Sequence, residues 1–318
     1  MFSFASQRTL SFWRPSKGRR LVLLRWLMTE WCNYRCPYCP QTHARYEPKG
    51  ENLTAHAFDN FPLSRWQDAI TRHFGDDRLT LVITGGEPML DRKNVVPLLN
   101  WLSDNPLVEC IRIDTNLSWK AHLYADLAKD KIILMCTFHP SEVEEEKFIA
   151  RLLEARAAGY RVGIVNYVMN ETNRHLFRAR HQRFFNLGFV LHPNPLWDRE
   201  SEEDLAVLKE YLPPLDYAYR TRLKKPKGKP CHFPVLAYEL DYTGNVHPGC
   251  YPSMATSFFA DKLPSLAGPS APCPAKKCVC LDKYSFLKGV ERNTTADPLS
   301  VYALMLHRIA EAKSHKGF

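Results

Sequence analysis

Residues 21–39 read LVLLRWLMTEWCNYRCPYC: an apolar run over 22–28, then Cys32, Cys36 and Cys39 within eight residues. The run has the length and composition of a strand, which places the three thiols on the loop that follows it. An ordinary 4Fe-4S cluster takes four cysteines, so three local ligands leave one iron open for a substrate or cofactor. The short spacings let one loop wrap three corners of a cube. A structural zinc site also uses thiolates, but it usually sets them in two pairs and closes all four positions.

Outward from that loop, short apolar segments alternate with amphipathic helical patterns, the signature of β/α units. Strands are predicted near 22–28, 80–84, 108–114, 132–137, 162–168 and 189–191. Trp66, Ala69, Ile70, His73 and Phe74 follow helical spacing, with Ser64 and Gln67 as a capping box. Ser141 and Glu144 repeat the device before Phe148, Ile149, Leu152 and Leu153, placing the acidic run 142–146 in the first helical turn. Cys110 and Cys136 fall inside predicted strands, where a thiol behaves as a small apolar group. Beyond Asp198 come a helix over 202–211, a basic stretch and a cysteine-rich segment. In that segment 237–241 and 245–247 flank Tyr242-Thr243-Gly244 as a hairpin, and 298–312 is predicted helical.

The chain has 318 residues, 45% of them hydrophobic and 24% charged, enough to bury a core in one large domain with a small partner. Its ten cysteines are too sparse for a disulfide scaffold and suit metal ligation in a reducing compartment. No signal-peptide pattern opens the chain and no run of about 18 apolar residues occurs, so a cytoplasmic protein with no membrane span is expected. The formal charge of +9 favours anionic partners, and RTRLKKPKGK at 220–229 is its densest patch. Pro226, Gly228 and Pro230 make that patch read as a solvated linker.

Directly after the 80–84 strand stands Gly85-Gly86-Glu87-Pro88. Glycines permit a close approach to the backbone, and a glutamate accepts hydrogen bonds from an ammonium group. With Cys32, Cys36 and Cys39 as CxxxCxxC, Tyr38 before the last cysteine, and GGEP in order behind them, the sequence resembles the radical S-adenosylmethionine (SAM) superfamily. The resemblance implies a partial (β/α)6 TIM-like barrel holding a SAM-binding 4Fe-4S cluster, with GGEP on the methionyl amino group. In β/α barrels the site lies at the C-terminal strand ends, where Asn116, His139 and Asn170 become further candidate SAM contacts. Read alone, Asn116 is equally a turn cap, and His139 beside Pro140 a satisfied histidine.

Cys231, Cys250, Cys273, Cys278 and Cys280 form a second group, which resembles the auxiliary-cluster extensions called SPASM and Twitch. Five thiols suit one further 4Fe-4S cluster, with the Cys278-Val279-Cys280 spacing departing from the usual CxxC ending; zinc is the rival occupant. The resulting organisation is an N-terminal extension over 1–20, a radical SAM core over 21–225 and a cysteine-rich auxiliary domain over 226–318. The implied activity is reductive cleavage of SAM to a 5'-deoxyadenosyl radical that abstracts hydrogen from a small polar or anionic substrate. An oxidation that uses the auxiliary cluster fits this scheme. A low-potential donor such as flavodoxin or ferredoxin would supply the electron. Modification of a ribosomal peptide is the alternative within the family. From another class, a basic zinc-bound nucleic-acid or scaffold protein would use Lys224, Lys225, Lys227 and Lys229 on phosphates, but it leaves GGEP without a purpose.

Overall fold

The structure is a computed structural model that describes residues 21–39, 55–196, 200–212, 217, 218, 221, 225–231, 233–268 and 270–276. Six strands, β1 (Leu21–Thr29), β2 (Arg78–Gly85), β3 (Val108–Thr115), β4 (Ile132–Phe138), β5 (Arg161–Met169) and β6 (Val190–Pro195), pair in parallel in chain order. Helices α1 (Leu63–Phe74), α2 (Arg92–Asp104), α3 (Glu145–Ala157) and α4 (Phe177–Asn186) serve four of the crossovers, and α5 (Glu202–Tyr211) follows β6. Between β3 and β4 stands only a 3-10 turn, Ala121–Tyr124, where Ala121, Tyr124 and Leu127 bury at three-residue spacing. This is the sheet of a partial (β/α)6 barrel.

The strands are rich in apolar residues because the sheet is buried against its helices. One face packs Leu24, Trp26, Leu81, Ile113, Leu134 and Phe138 with the helical residues Trp66, Leu98 and Phe148. Alternation sends the neighbouring side chains to the other face, where Met135, Ile164 and Val190 form a separate small cluster. That inner face also carries charge. Arg25 pairs with Glu239 at 3.5 Å, and Arg112 grips Asp114 two residues on at 2.8 and 3.2 Å.

Two predicted caps are corrected. Helix α1 begins at Leu63 behind Pro62, so Ser64 lies within the first turn and cannot cap it. Helix α3 begins behind Glu144, and the Ser141 hydroxyl faces the Tyr38 hydroxyl at 3.3 Å instead. Of the acidic run, Glu145 and Glu146 occupy the first turn and pair with Arg180 and Arg183 of α4. A capping box that was not anticipated, Ser201 with Asp204, opens α5. The predicted helix at 298–312 and the extension 1–20 lie outside the described residues.

Near the C-terminal side of the described chain, a two-residue strand β7 (Pro230–Cys231) precedes the expected hairpin of β8 (Ala237–Asp241) and β9 (Asn245–Pro248). Asp241 builds its turn by accepting from the Thr243 and Asn245 amides at 2.9 and 3.0 Å, and Gly244 supplies the left-handed residue at φ 80°. The hairpin extends the barrel sheet. Strand β8 pairs in parallel with β1, Leu23 opposite Ala237 through Leu27 opposite Asp241. With β10 (Thr256–Ser257) the order becomes β10-β9-β8-β1-β2-β3-β4-β5-β6, and β11 (Ala271–Pro272) pairs with β7 apart from it.

Phe258, fully buried, then locks the hairpin to α1. Its ring meets Trp66, His73 and Phe74, and its carbonyl lies 2.9 Å from His73 Nε2. Truncating such a ring leaves a cavity that the seam cannot close. Phe258→Ala is therefore expected to destabilise the chain by about 3–5 kcal/mol in denaturant unfolding; a loss below about 1 kcal/mol would show that the hairpin is held elsewhere.

Candidate cluster and cofactor site

The site is built where β1, β2, β3 and β4 end side by side. At the end of β1 the Thr29 hydroxyl donates to the Ala55 carbonyl at 3.1 Å and accepts the Trp31 amide at 2.9 Å, turning the chain into the cysteine loop. At the end of β2 the GGEP segment lies flat against that turn: the Gly86 amide donates to the Thr29 carbonyl at 2.7 Å, and the Glu87 amide to the Trp31 carbonyl at 2.5 Å. A Cβ on Gly85 would stand 2.0 Å from the Thr29 oxygen, and one on Gly86 1.8 Å from the Trp31 oxygen. The close approach that the glycines permit is thus made by the chain's own backbone.

Glu87 is 1% exposed. Its carboxylate accepts from the Thr115 hydroxyl at 2.8 Å, the Asn116 amide at 2.6 Å and the Met89 amide at 3.2 Å, tying the end of β2 to that of β3. Burial pushes its pKa up to about 7, against the pull of those three donors.

Asn116 turns back on the cysteine loop, its side-chain nitrogen 3.3 Å from the Cys32 sulfur and 3.2 Å from Asn33 Oδ1. Ser118 also donates to Asn33 Oδ1, at 2.9 Å, and the Tyr34 amide approaches the Cys32 sulfur at 3.4 Å.

From the end of β4, His139 places Nδ1 3.4 Å from the Cys36 sulfur and 3.1 Å from the Tyr38 hydroxyl, its ring parallel to that of Tyr38. Burial pushes the imidazole down to about 4 and the Cys36 thiol up to about 12. Glu142 accepts the Arg35 amide at 3.0 Å, and Arg151 donates to the Tyr34 hydroxyl at 3.0 Å. Asn170, at the end of β5, spends its side-chain oxygen on the Thr172 amide and hydroxyl at 3.0 and 2.8 Å. Asn33, Ser141, Glu142 and Arg151 carry no recognisable motif, and only the strand-end position of Thr115 points to it in the sequence.

The loop fits a cluster by its donor set. Three thiols share one loop, and polar groups stand at hydrogen-bonding distance from the Cys32 and Cys36 sulfurs, where ligand thiolates need compensation. Among the described residues no three His, Cys, Asp or Glu side chains converge on a single metal-ion position; in a cubic cluster each thiolate binds its own iron.

Cys231 and Cys273 share the small β7–β11 pair, and Cys250 follows β9. The β7–β11 pair sets Cys231 opposite Ala271, and the amide and carbonyl of Cys273 bond Lys229 and Gly228 at 2.8 Å each. The Tyr251 phenol is pushed up first by burial and then by the charges of Cys273, Cys231 and Cys250. The Tyr251 hydroxyl donates to the Pro272 carbonyl. Cys278 and Cys280 lie outside the described residues. Cys110 and Cys136 are buried, as expected.

Two curated GTP 3',8-cyclases are similar in sequence. That of Agrobacterium fabrum is 30% identical over 215 residues, covering 62% of this chain and 57% of the cyclase. That of Ectopseudomonas mendocina is 31% identical over 110 residues, 35% of this chain and 30% of that one. In three dimensions the chain resembles a histidine-tagged anSMEcpe with bound AdoMet, with a TM-score of 0.51, 14% identity and coverage of 72% and 71% of the two chains. The likeness to these cyclases supports the radical SAM superfamily that the two motifs resemble. No family model matches it, and it spans about half the length of the curated relatives it matches. Within the superfamily frame, Cys32, Cys36 and Cys39 are the residues that would hold the cluster, and GGEP sits against their loop.

Two outcomes follow from this junction. Gly86→Ala drives a methyl into the Trp31 carbonyl and should cost about 3 kcal/mol, with iron uptake falling alongside; full iron content and unchanged unfolding would mean that the two loops can part. The raised pKa of Glu87 makes its contribution to stability complete below pH 4.5 and lost as the pH climbs through about 7. Denaturant unfolding of the cluster-free protein should show that loss in the wild type and not in Glu87→Gln; equal slopes would place the carboxyl in water.

Proposed function

We propose that this chain reductively cleaves S-adenosylmethionine and uses the 5'-deoxyadenosyl radical to abstract hydrogen from a small polar or anionic substrate. The observation that carries this reading is the backbone junction of the CxxxCxxC and GGEP loops at the C-terminal ends of adjacent parallel strands. A zinc scaffold has no use for such a junction. Cys32, Cys36 and Cys39 would hold a 4Fe-4S cluster, which would supply the low-potential electron for cleaving the sulfonium carbon–sulfur bond to methionine and the radical.

The chain's own residues do the rest. Gly85, Gly86, Glu87 and Pro88 would present the methionyl amino group's partners, with Tyr38, Asn116, His139 and Asn170 as further candidate contacts. Cys36 at 5% exposure, walled by Tyr34, Tyr38 and His139, keeps water from its corner of the site. Cys231, Cys250 and Cys273, with Cys278 or Cys280, would hold one auxiliary cluster that accepts the electron left on a substrate radical, making the net reaction an oxidation. The relatives are named for a reaction of GTP, a small anion, which favours such a substrate over a peptide. A flavodoxin- or ferredoxin-class donor would deliver the first electron.

Anaerobic reconstitution tests this directly. About eight irons per chain and deoxyadenosine release on reduction with SAM are expected, with release abolished in Cys36→Ala and about four irons retained there. Zinc without iron, or iron without deoxyadenosine, would sink the proposal.

A further inference from the structure

Asn116 ends the strand beside the cluster loop, and the directions of its amide are fixed by its neighbours. Its Oδ1 accepts the Ser118 amide at 2.9 Å, so the nitrogen must occupy the other side. There it has two acceptors, the Cys32 sulfur at 3.3 Å and Asn33 Oδ1 at 3.2 Å, one for each of its hydrogens. A flipped amide would aim an oxygen at both and a nitrogen at a donor. The residue is 4% exposed, so water does not compete for these hydrogens. Its main-chain amide is held separately by Glu87 Oε2 at 2.6 Å, which fixes the backbone independently of the side chain.

A ligand thiolate gathers negative charge when its cluster is reduced, and a buried N–H aimed at it favours the reduced form. We infer that Asn116 is a positioning residue for the cluster: its side-chain N–H donates to the Cys32 sulfur and raises the cluster's reduction potential. Through the Asn116 main chain, the glutamate of GGEP holds this donor in place. The inference rests on the reading that Cys32, Cys36 and Cys39 hold a 4Fe-4S cluster.

Asn116→Ala removes the donor and leaves the Glu87 contact to the main chain. In the reconstituted protein, EPR-monitored redox titration should show about a tenfold lower ratio of reduced to oxidised cluster at a fixed potential. For a one-electron couple that is a midpoint about 59 mV more negative. Full iron content with an unmoved midpoint overturns the inference. A measurement on the wild-type chain avoids any folding defect in the variant: asparagine labelled with 15N in its side-chain amide should give a 15N coupling in pulsed EPR of the reduced cluster. Absence of that coupling overturns it too. A wild-type chain that takes up no iron sinks the cluster reading itself, an outcome distinct from an iron-loaded chain lacking the coupling.

Discussion

Two main-chain hydrogen bonds, from Gly86 to Thr29 and from Glu87 to Trp31, fix the geometry on which the rest of the site depends. They form only because neither glycine carries a Cβ. Their effect is to make one rigid body of two loops that leave different strands. Glu87, buried beneath, extends that body to the end of β3, and His139 completes it from β4. Four strand ends thereby converge on one cysteine loop.

The parallel sheet makes this convergence possible. Parallel strands in chain order bring every C-terminal end to the same rim, so residues far apart in sequence, such as Cys32 and Asn116, meet without a dedicated scaffold. The inner face beneath the rim is less apolar than a packed barrel core. It holds the Arg25–Glu239 and Arg112–Asp114 pairs, whose charges are matched within the protein.

All six core strands were legible from their apolar runs, because a strand in a buried sheet has little choice of composition. What pairs with what was less visible. The placement of β8 beside β1 joins residues more than 200 positions apart, and no local pattern records it. Ser64 and Ser141 have the spacing of caps, yet Pro62 sets one helix start and a tertiary contact to Tyr38 claims the other serine. The CxxxCxxC cysteines and GGEP were readable as motifs. Which group would approach the glycines, and where the Asn116 amide would point, depended on neighbours brought in by the fold. The thiols of Cys231, Cys250 and Cys273 were readable as a group, but the β7–β11 pairing that joins the segments of Cys231 and Cys273 was not.

The register of β8 against β1 sets the two cysteine groups apart. Cys32 follows the C-terminal end of β1, whereas Cys250 follows β9, which runs back beside β8 to the level of Leu24. The four steps from Leu23 to Leu27 alone span roughly 13 Å at the rise of a strand. The ladder therefore fixes how far along the sheet the two groups stand from each other. A slip of that register would carry one group of thiols along the sheet relative to the other.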